Sequence, residues 1–186
     1  NDRRYVTIEH GSLDLLFSSL HDQGFTTIAP TVRDGTIVLD EITAAAELPT
    51  GWTDEQEAGR YRLKNRNDQS QFAYSVSPHS WKRYLFPAEQ MVFAARRARG
   101  GFEIDDTPSD GRRYAFVGVR PCELAAISIL DTVLLRGSIA DERYRARREG
   151  VFIVAVNCTH PGGTCFCASM GTGPRASAGF DLAMTE

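Results

Sequence analysis

Four cysteines, Cys122, Cys158, Cys165 and Cys167, are the residues of this 186-residue chain whose type and spacing point to chemistry. Thiolates are ligands for soft metals and for iron–sulfur clusters. Three of the four fall together in the segment NCTHPGGTCFC, and Cys122 opens the apolar segment CELAAISILDTVLL. The spacing departs from the common ferredoxin run of closely set cysteines and equally from the paired Cys-x-x-Cys hooks of structural zinc. On the residues alone, an electron-carrying iron–sulfur cluster stands beside three other readings: a zinc site, four inert buried thiols, or a thiol reductase using Cys165 and Cys167. A disulfide between Cys165 and Cys167 is disfavoured, because the two are too close in sequence for unstrained geometry.

The elements that must position these sulfurs are legible on either side of them. RRYAFVGV reads as a buried strand, and Arg120 and Pro121 lead into a helix whose Leu124, Ile127, Leu130 and Leu134 share a face. VFIVAVN reads as a second buried strand. Strand, helix and strand make a parallel βαβ unit, so Cys122 and Cys158 both follow carboxyl ends of parallel strands and lie at one edge of the sheet. Pro161, Gly162 and Gly163 let the chain turn back toward that edge with Cys165 and Cys167.

Several neighbours are candidate parts of the same site. Cys122 at a helix start is expected to favour its thiolate through the unpaired backbone N–H groups. Gly162, Gly163, Gly171 and Gly173 would allow backbone amides close to a cluster's sulfides. Arg120 would offset cluster charge, Asn157 would orient the turn, and His160 would hydrogen-bond a cluster or replace a ligand, although a solvated loop histidine is the plainer reading. His79, Trp81 and Lys82 read by default as a packing Trp with polar surface neighbours. No Ser-His-Asp or Cys-His catalytic arrangement is present, and GTGP lacks the lysine of a phosphate loop.

Earlier in the chain, Leu13, Leu16, Phe17 and Leu20 recur at helical spacing, with Gly24 as the stop. FTTIAPTV and TIVLDEI, joined through Asp34 and Gly35, read as an antiparallel hairpin. GRYRL and QFAYSV read as strands, and Pro87 is placed to open a helix through Met91, Phe93 and Ala94, ending at Gly100 and Gly101. Residues 1–186 are expected to form one α/β domain: a mixed sheet, with an N-terminal helix and antiparallel hairpin in 1–100 and the parallel βαβ unit with the cysteine loop in 101–186.

Hydrophobic residues at 42%, charged residues at 24% and a net charge of −3 are ordinary for a folded domain and give no general attraction to nucleic acid. The arginine clusters Arg96, Arg97, Arg99 and Arg143, Arg145, Arg147, Arg148 read as solvated helix ends. No apolar run approaches the ~20 residues of a membrane span, and no signal segment opens the chain, so a cytoplasmic protein without membrane contact is expected.

VGVRPCELAAISILD, VNCTHPGGTCFCASMGTGP and GFDLAMTE together resemble the iron–sulfur beta subunit of cytoplasmic nickel–iron hydrogenases (sulfhydrogenases) and the related A subunit of anaerobic sulfite reductase. TIAP, GRYRL and SWKRYLFP are similar at lower strength, and no nickel-site or sulfite-site motif is present. The resemblance implies a non-catalytic relay between a flavin- and NAD(P)H-binding subunit and a catalytic hydrogenase or reductase subunit. It also implies that the chain is the N-terminal part of a longer subunit, followed by a ferredoxin-like region. The four cysteines would then hold an additional cluster, most simply [4Fe-4S], with zinc as the alternative.

Overall fold

A computed structural model describes residues 5–76, 78–105 and 111–186. Helix α1 (Leu13–Asp22) places Leu13, Phe17 and Leu20 on one buried face, and Gly24 leaves it at φ 79°. Strands β1 (Phe25–Arg33) and β2 (Thr36–Glu41) follow as an antiparallel pair. Their turn uses Asp34 at φ 48° and Gly35 at φ 71°, the left-handed pair that a tight two-residue hairpin requires. Two further hairpins come next: β3 (Trp52–Glu57) with β4 (Arg60–Asn65), and, after the short helix α2 (Lys82–Leu85), β5 (Ala94–Ala98) with β6 (Gly101–Asp105).

The C-terminal half is β7 (Arg113–Val119), α3 (Pro121–Leu135), α4 (Glu142–Glu149), β8 (Phe152–Val156) and β9 (Leu182–Met184). The main sheet has the order β2-β1-β7-β8-β9. Strands β1, β7, β8 and β9 run parallel and β2 is antiparallel, the mixed α/β arrangement read from the sequence.

Alternation along β7 sends Ala115 and Val117 to the face covered by α1, and Tyr114 and Phe116 to the face covered by α2, α3 and α4. On the second face Leu124 and Ile127 of α3 pack against Ile153 and Ala155 of β8. Each such buried side chain contributes about 1.5–3 kcal/mol. Pro121 stands at the first helical position of α3, where a missing N–H costs nothing. Asp141 caps α4 by accepting from the Tyr144 N–H at 2.9 Å, and the Tyr144 hydroxyl donates to Asp131 of α3 at 2.6 Å, which locks the two helices together.

Three sequence expectations are corrected. QFAYSV is buried but irregular, with bends at Gln71, Phe72 and Tyr74, and pairs with no strand among the described residues; side chains satisfy much of its backbone instead. The Gln71 and Phe72 N–H groups donate to Glu186 at 2.7 and 2.9 Å, the Ser75 N–H donates to Asp54 at 2.6 Å, and the Phe72 and Tyr74 carbonyls accept from Arg120. The helix expected from Pro87 is not formed: α2 ends before it, and Ala94–Ala98 is a strand. Met91, Val92 and Phe93 are exposed, so the helical spacing there has no core to face. Arg96 and Arg97 accordingly lie in β5, not at a helix end. The second arginine cluster is mostly spent on internal contacts, with Arg148 on Asp131 and Arg143 on the carbonyls of Met91 and Val92.

Candidate metal centre

Strands β7 and β8 are direct neighbours, and each ends just before a cysteine. Beyond β7 the chain passes through Arg120 and Pro121 to Cys122 in the first turn of α3; beyond β8 it passes through Asn157 to Cys158. The two thiols thus share the carboxyl edge of adjacent parallel strands. From Cys158 the chain loops out and returns as β9 beside β8. Within the loop the Cys158 N–H donates to the Pro174 carbonyl at 3.0 Å, the Cys165 N–H to Gly162 at 3.1 Å, and the Thr172 N–H to Cys167 at 2.9 Å. These turns fold Cys165 and Cys167 back toward Cys158.

The thiols sense one another. Burial pushes the Cys122 thiol up to about 11, with the Glu123 carboxylate, Cys167 and Cys158 adding to the rise, while its own backbone N–H opposes it. Burial also raises Cys158, and Cys165 and Cys167 add to that; the Arg120 guanidinium and the His160 backbone N–H pull it down. All four sulfurs therefore lie in one electrostatic neighbourhood. The expectation that the start of α3 stabilises a Cys122 thiolate is corrected, because desolvation and the adjacent Glu123 outweigh the backbone donor. A bound cationic centre would reverse this balance, since metal binding deprotonates the thiols it takes. All four cysteines are free thiols.

Arg120 has the strongest structural role of the sequence candidates. It is 2% exposed. Its Nη2 donates to the carbonyls of Phe72 at 2.6 Å and Tyr74 at 2.9 Å, and its Nη1 donates to that of Asn157 at 3.2 Å. Its backbone N–H donates to Glu123 at 2.8 Å, closing the first turn of α3. Asn157 orients its turn as expected: its amide donates to Thr185 at 2.7 Å and its side-chain oxygen accepts from the Ala176 N–H at 2.8 Å, so both limbs of the cysteine loop are tied to it. The His160 ring is engaged with the Thr159 hydroxyl at 3.0 Å, and its backbone N–H serves Cys158.

The glycines mark close approaches. A Cβ on Gly173 would stand 3.1 Å from the Cys167 Sγ. On Gly162 it would meet the Ser75 Oγ at 3.1 Å with the Cys165 Sγ at 3.7 Å, and on Gly163 the Gln56 carbonyl at 3.0 Å. Gly171 differs, with open space around it and φ +64°, so it serves the turn rather than the packing.

These contacts expose a wall that sequence reasoning missed. Gln56 at the tip of β3 donates to Ser75 at 2.7 Å and to Asp54 at 2.8 Å, and its side-chain oxygen accepts from the Thr164 hydroxyl at 3.2 Å. The β3–β4 hairpin thereby leans against the loop between Cys158 and Cys165. The run WTDEQE is polar after Trp52 and carries no alternation, so nothing in it points to a partner more than a hundred residues away.

No group of three or more His, Cys, Asp or Glu among the described residues is arranged to hold a metal ion. Four thiolates around one zinc ion sit at ~2.3 Å from it and nearly touch one another. A four-iron cluster is larger and holds its thiolates farther apart. The all-sulfur donor set and the glycines set against Cys165 and Cys167 suit thiolate-bound cluster chemistry. A scan against family models, a search of curated proteins and a search of solved structures each found no match for the chain, so the functional reading rests on this arrangement of sulfurs.

Proposed function

We propose that the chain is an electron-transfer domain that holds an iron–sulfur cluster, [4Fe-4S], through Cys122, Cys158, Cys165 and Cys167. The observation that carries this reading is that Cys122 and Cys158 follow the carboxyl ends of adjacent parallel strands, with Cys167 close enough to raise both thiols and Cys165 close enough to raise Cys158. The cluster supplies reversible one-electron chemistry when bound. The residues around it do the rest. Arg120, fixed by three carbonyls, presents positive charge beside Cys158 and offsets the negative charge of a thiolate-ligated centre. Asn157 holds the two limbs of the loop, and Gly162 and Gly173 leave room for Cys165 and Cys167. Cys165 is the exposed ligand and gives the shortest route for electrons to a docked partner.

The likeness of the βαβ and cysteine-loop segments to hydrogenase and sulfite reductase beta-type subunits supports a cytoplasmic relay between a flavin- and NAD(P)H-binding subunit and a catalytic subunit. No helix among the described residues is long and apolar enough to cross a membrane. The test is anaerobic reconstitution with ferrous iron and sulfide. A brown protein with broad visible absorption, and a paramagnetic signal on reduction, both lost in Cys158→Ser, is the expected result; a colourless protein overturns it.

A second reading, a subunit-docking module with zinc or no metal at the cysteines, is favoured by the exposed Met91, Val92, Phe93, Phe102 and Ile104 around the β5–β6 hairpin. Anaerobic metal analysis separates the two: one equivalent of zinc without iron supports docking.

A further inference from the structure

Three buried side-chain polar atoms among the described residues fall short of a well-formed hydrogen bond: Tyr74 Oη and Arg120 Nε, and Trp81 Nε1, which lies near enough to Glu123 to help hold its carboxylate but does not close a bond of good geometry. All three residues are 2% exposed, and all three line the same small pocket, together with Glu123. Buried donors left unpaired lose their water without compensation, so three around one cavity need a common partner. We infer that this cavity, on the inner side of the turn carrying Cys122, binds a single water molecule between Tyr74, Trp81, Arg120 and Glu123.

The chemistry of the lining selects the ligand. Trp81 Nε1–H and Arg120 Nε–H can only donate, so the ligand must accept. The Glu123 carboxylate accepts, so the ligand must also donate. An anion is opposed by Glu123 and a cation by Arg120, which leaves a small neutral molecule with both capacities. The cavity has room for about one water-sized sphere, the minimum that an ordered buried water needs, and offers it enough polar partners.

The water joins the first turn of α3 to two nearby points of the chain on either side of residue 77. Tyr74 belongs to the buried segment pinned by Arg120, Trp81 precedes α2, and Glu123 lies in the first turn of α3. Glu123 already accepts from the Arg120 N–H at 2.8 Å, so the bound water extends the network that closes the turn carrying Cys122. Tyr74, Trp81 and the water are positioning groups for that thiol. The inference does not depend on what the four cysteines bind.

The metal-free full chain tests it, through a high-resolution crystal structure and the Tyr74→Phe variant, which removes only the hydroxyl. The expected results are one spherical peak of density within hydrogen-bond distance of at least two of the three orphan atoms, and a lower Tm for Tyr74→Phe. An empty cavity overturns the inference, as does a higher Tm, since deleting a truly unpaired hydroxyl relieves a desolvation cost. Faster alkylation of Cys122 in the variant, with Cys165 unchanged, is the mark of positioning; equal Cys122 rates overturn that role.

Discussion

Val119 of β7 and Ala155 of β8 are register partners in the parallel pair, and each stands three residues before a cysteine. Cys122 and Cys158 therefore both follow the carboxyl ends of adjacent strands, which lie about 4.8 Å apart. The register shifts by one residue at Gly118, below which Phe116 pairs with Ile153 and Val117 with Val154. A one-residue slip would turn each of these side chains to the wrong face.

Arg120 replaces a missing strand partner for the segment 71–76. In Arg120→Met the carbonyls of Phe72, Tyr74 and Asn157 lose their donor while staying enclosed. The expected loss is at least about 3 kcal/mol, because bonds to a charged donor are the stronger kind and orphaned acceptors add a penalty. Urea denaturation of the metal-free protein measures it.

Gly173→Ala separates the site from the fold. The added Cβ would stand 3.1 Å from the Cys167 Sγ, and that sulfur must move. The expected outcome is a marked fall in iron retained after anaerobic reconstitution, with Tm nearly unchanged. Gly171→Ala, with open space around it, is the contrasting variant: it pays a backbone cost of about 1 kcal/mol at its positive φ but keeps its iron.

Stability of the metal-free chain should fall as pH rises from 9 to about 11. Cys122 has its pKa raised from 9.0 to about 11 by burial, so the unfolded chain releases this proton first and binds fewer protons in that window. The contribution is complete below pH 9 and is lost as pH approaches 11. Cys122→Ser should flatten part of the slope, and Cys158, raised for the same reason, accounts for more of it. Denaturation midpoints across this range provide the measurement.

Gly118→Ala tests the packing beneath the site. Gly118 lies at the irregularity in β7 with φ +96°, and a Cβ there would meet Pro30 Cδ at 3.0 Å and Phe72 Cε1 at 3.4 Å. Strain in the backbone and overpacking act together, for an expected loss of about 2–4 kcal/mol, read by chemical denaturation.

What could be read from the sequence follows from where the information lies. The β7–α3–β8 unit was legible because YAFVGV and FIVAV are continuous apolar runs and Pro121 marks the helix start; Asp34 and Gly35 did the same for the first hairpin. QFAYSV was misread because its apolar content shows burial, whereas its backbone partners are Asp54, Arg120 and Glu186. Strand β3 carries no apolar alternation, and β9 has only three residues, so neither offers a pattern to recognise. The cysteines were identifiable by type, and their common edge followed from the parallel unit. Gln56 and Ser75, which shape the loop from outside, are ordinary polar residues until the chain is folded.

The return of β9 beside β8 makes the cysteine loop an excursion with both feet planted. Asn157 holds one foot through Thr185, and Asp181 holds the other by accepting from the Ile153 N–H at 2.8 Å. Between the footings the exposed Met170 sits in a turn closed by its own N–H on Phe166 and by the Thr172 N–H on Cys167. A change in the length of this crest is thus felt first at Cys167, while the footings beside Cys158 stay where the sheet fixes them.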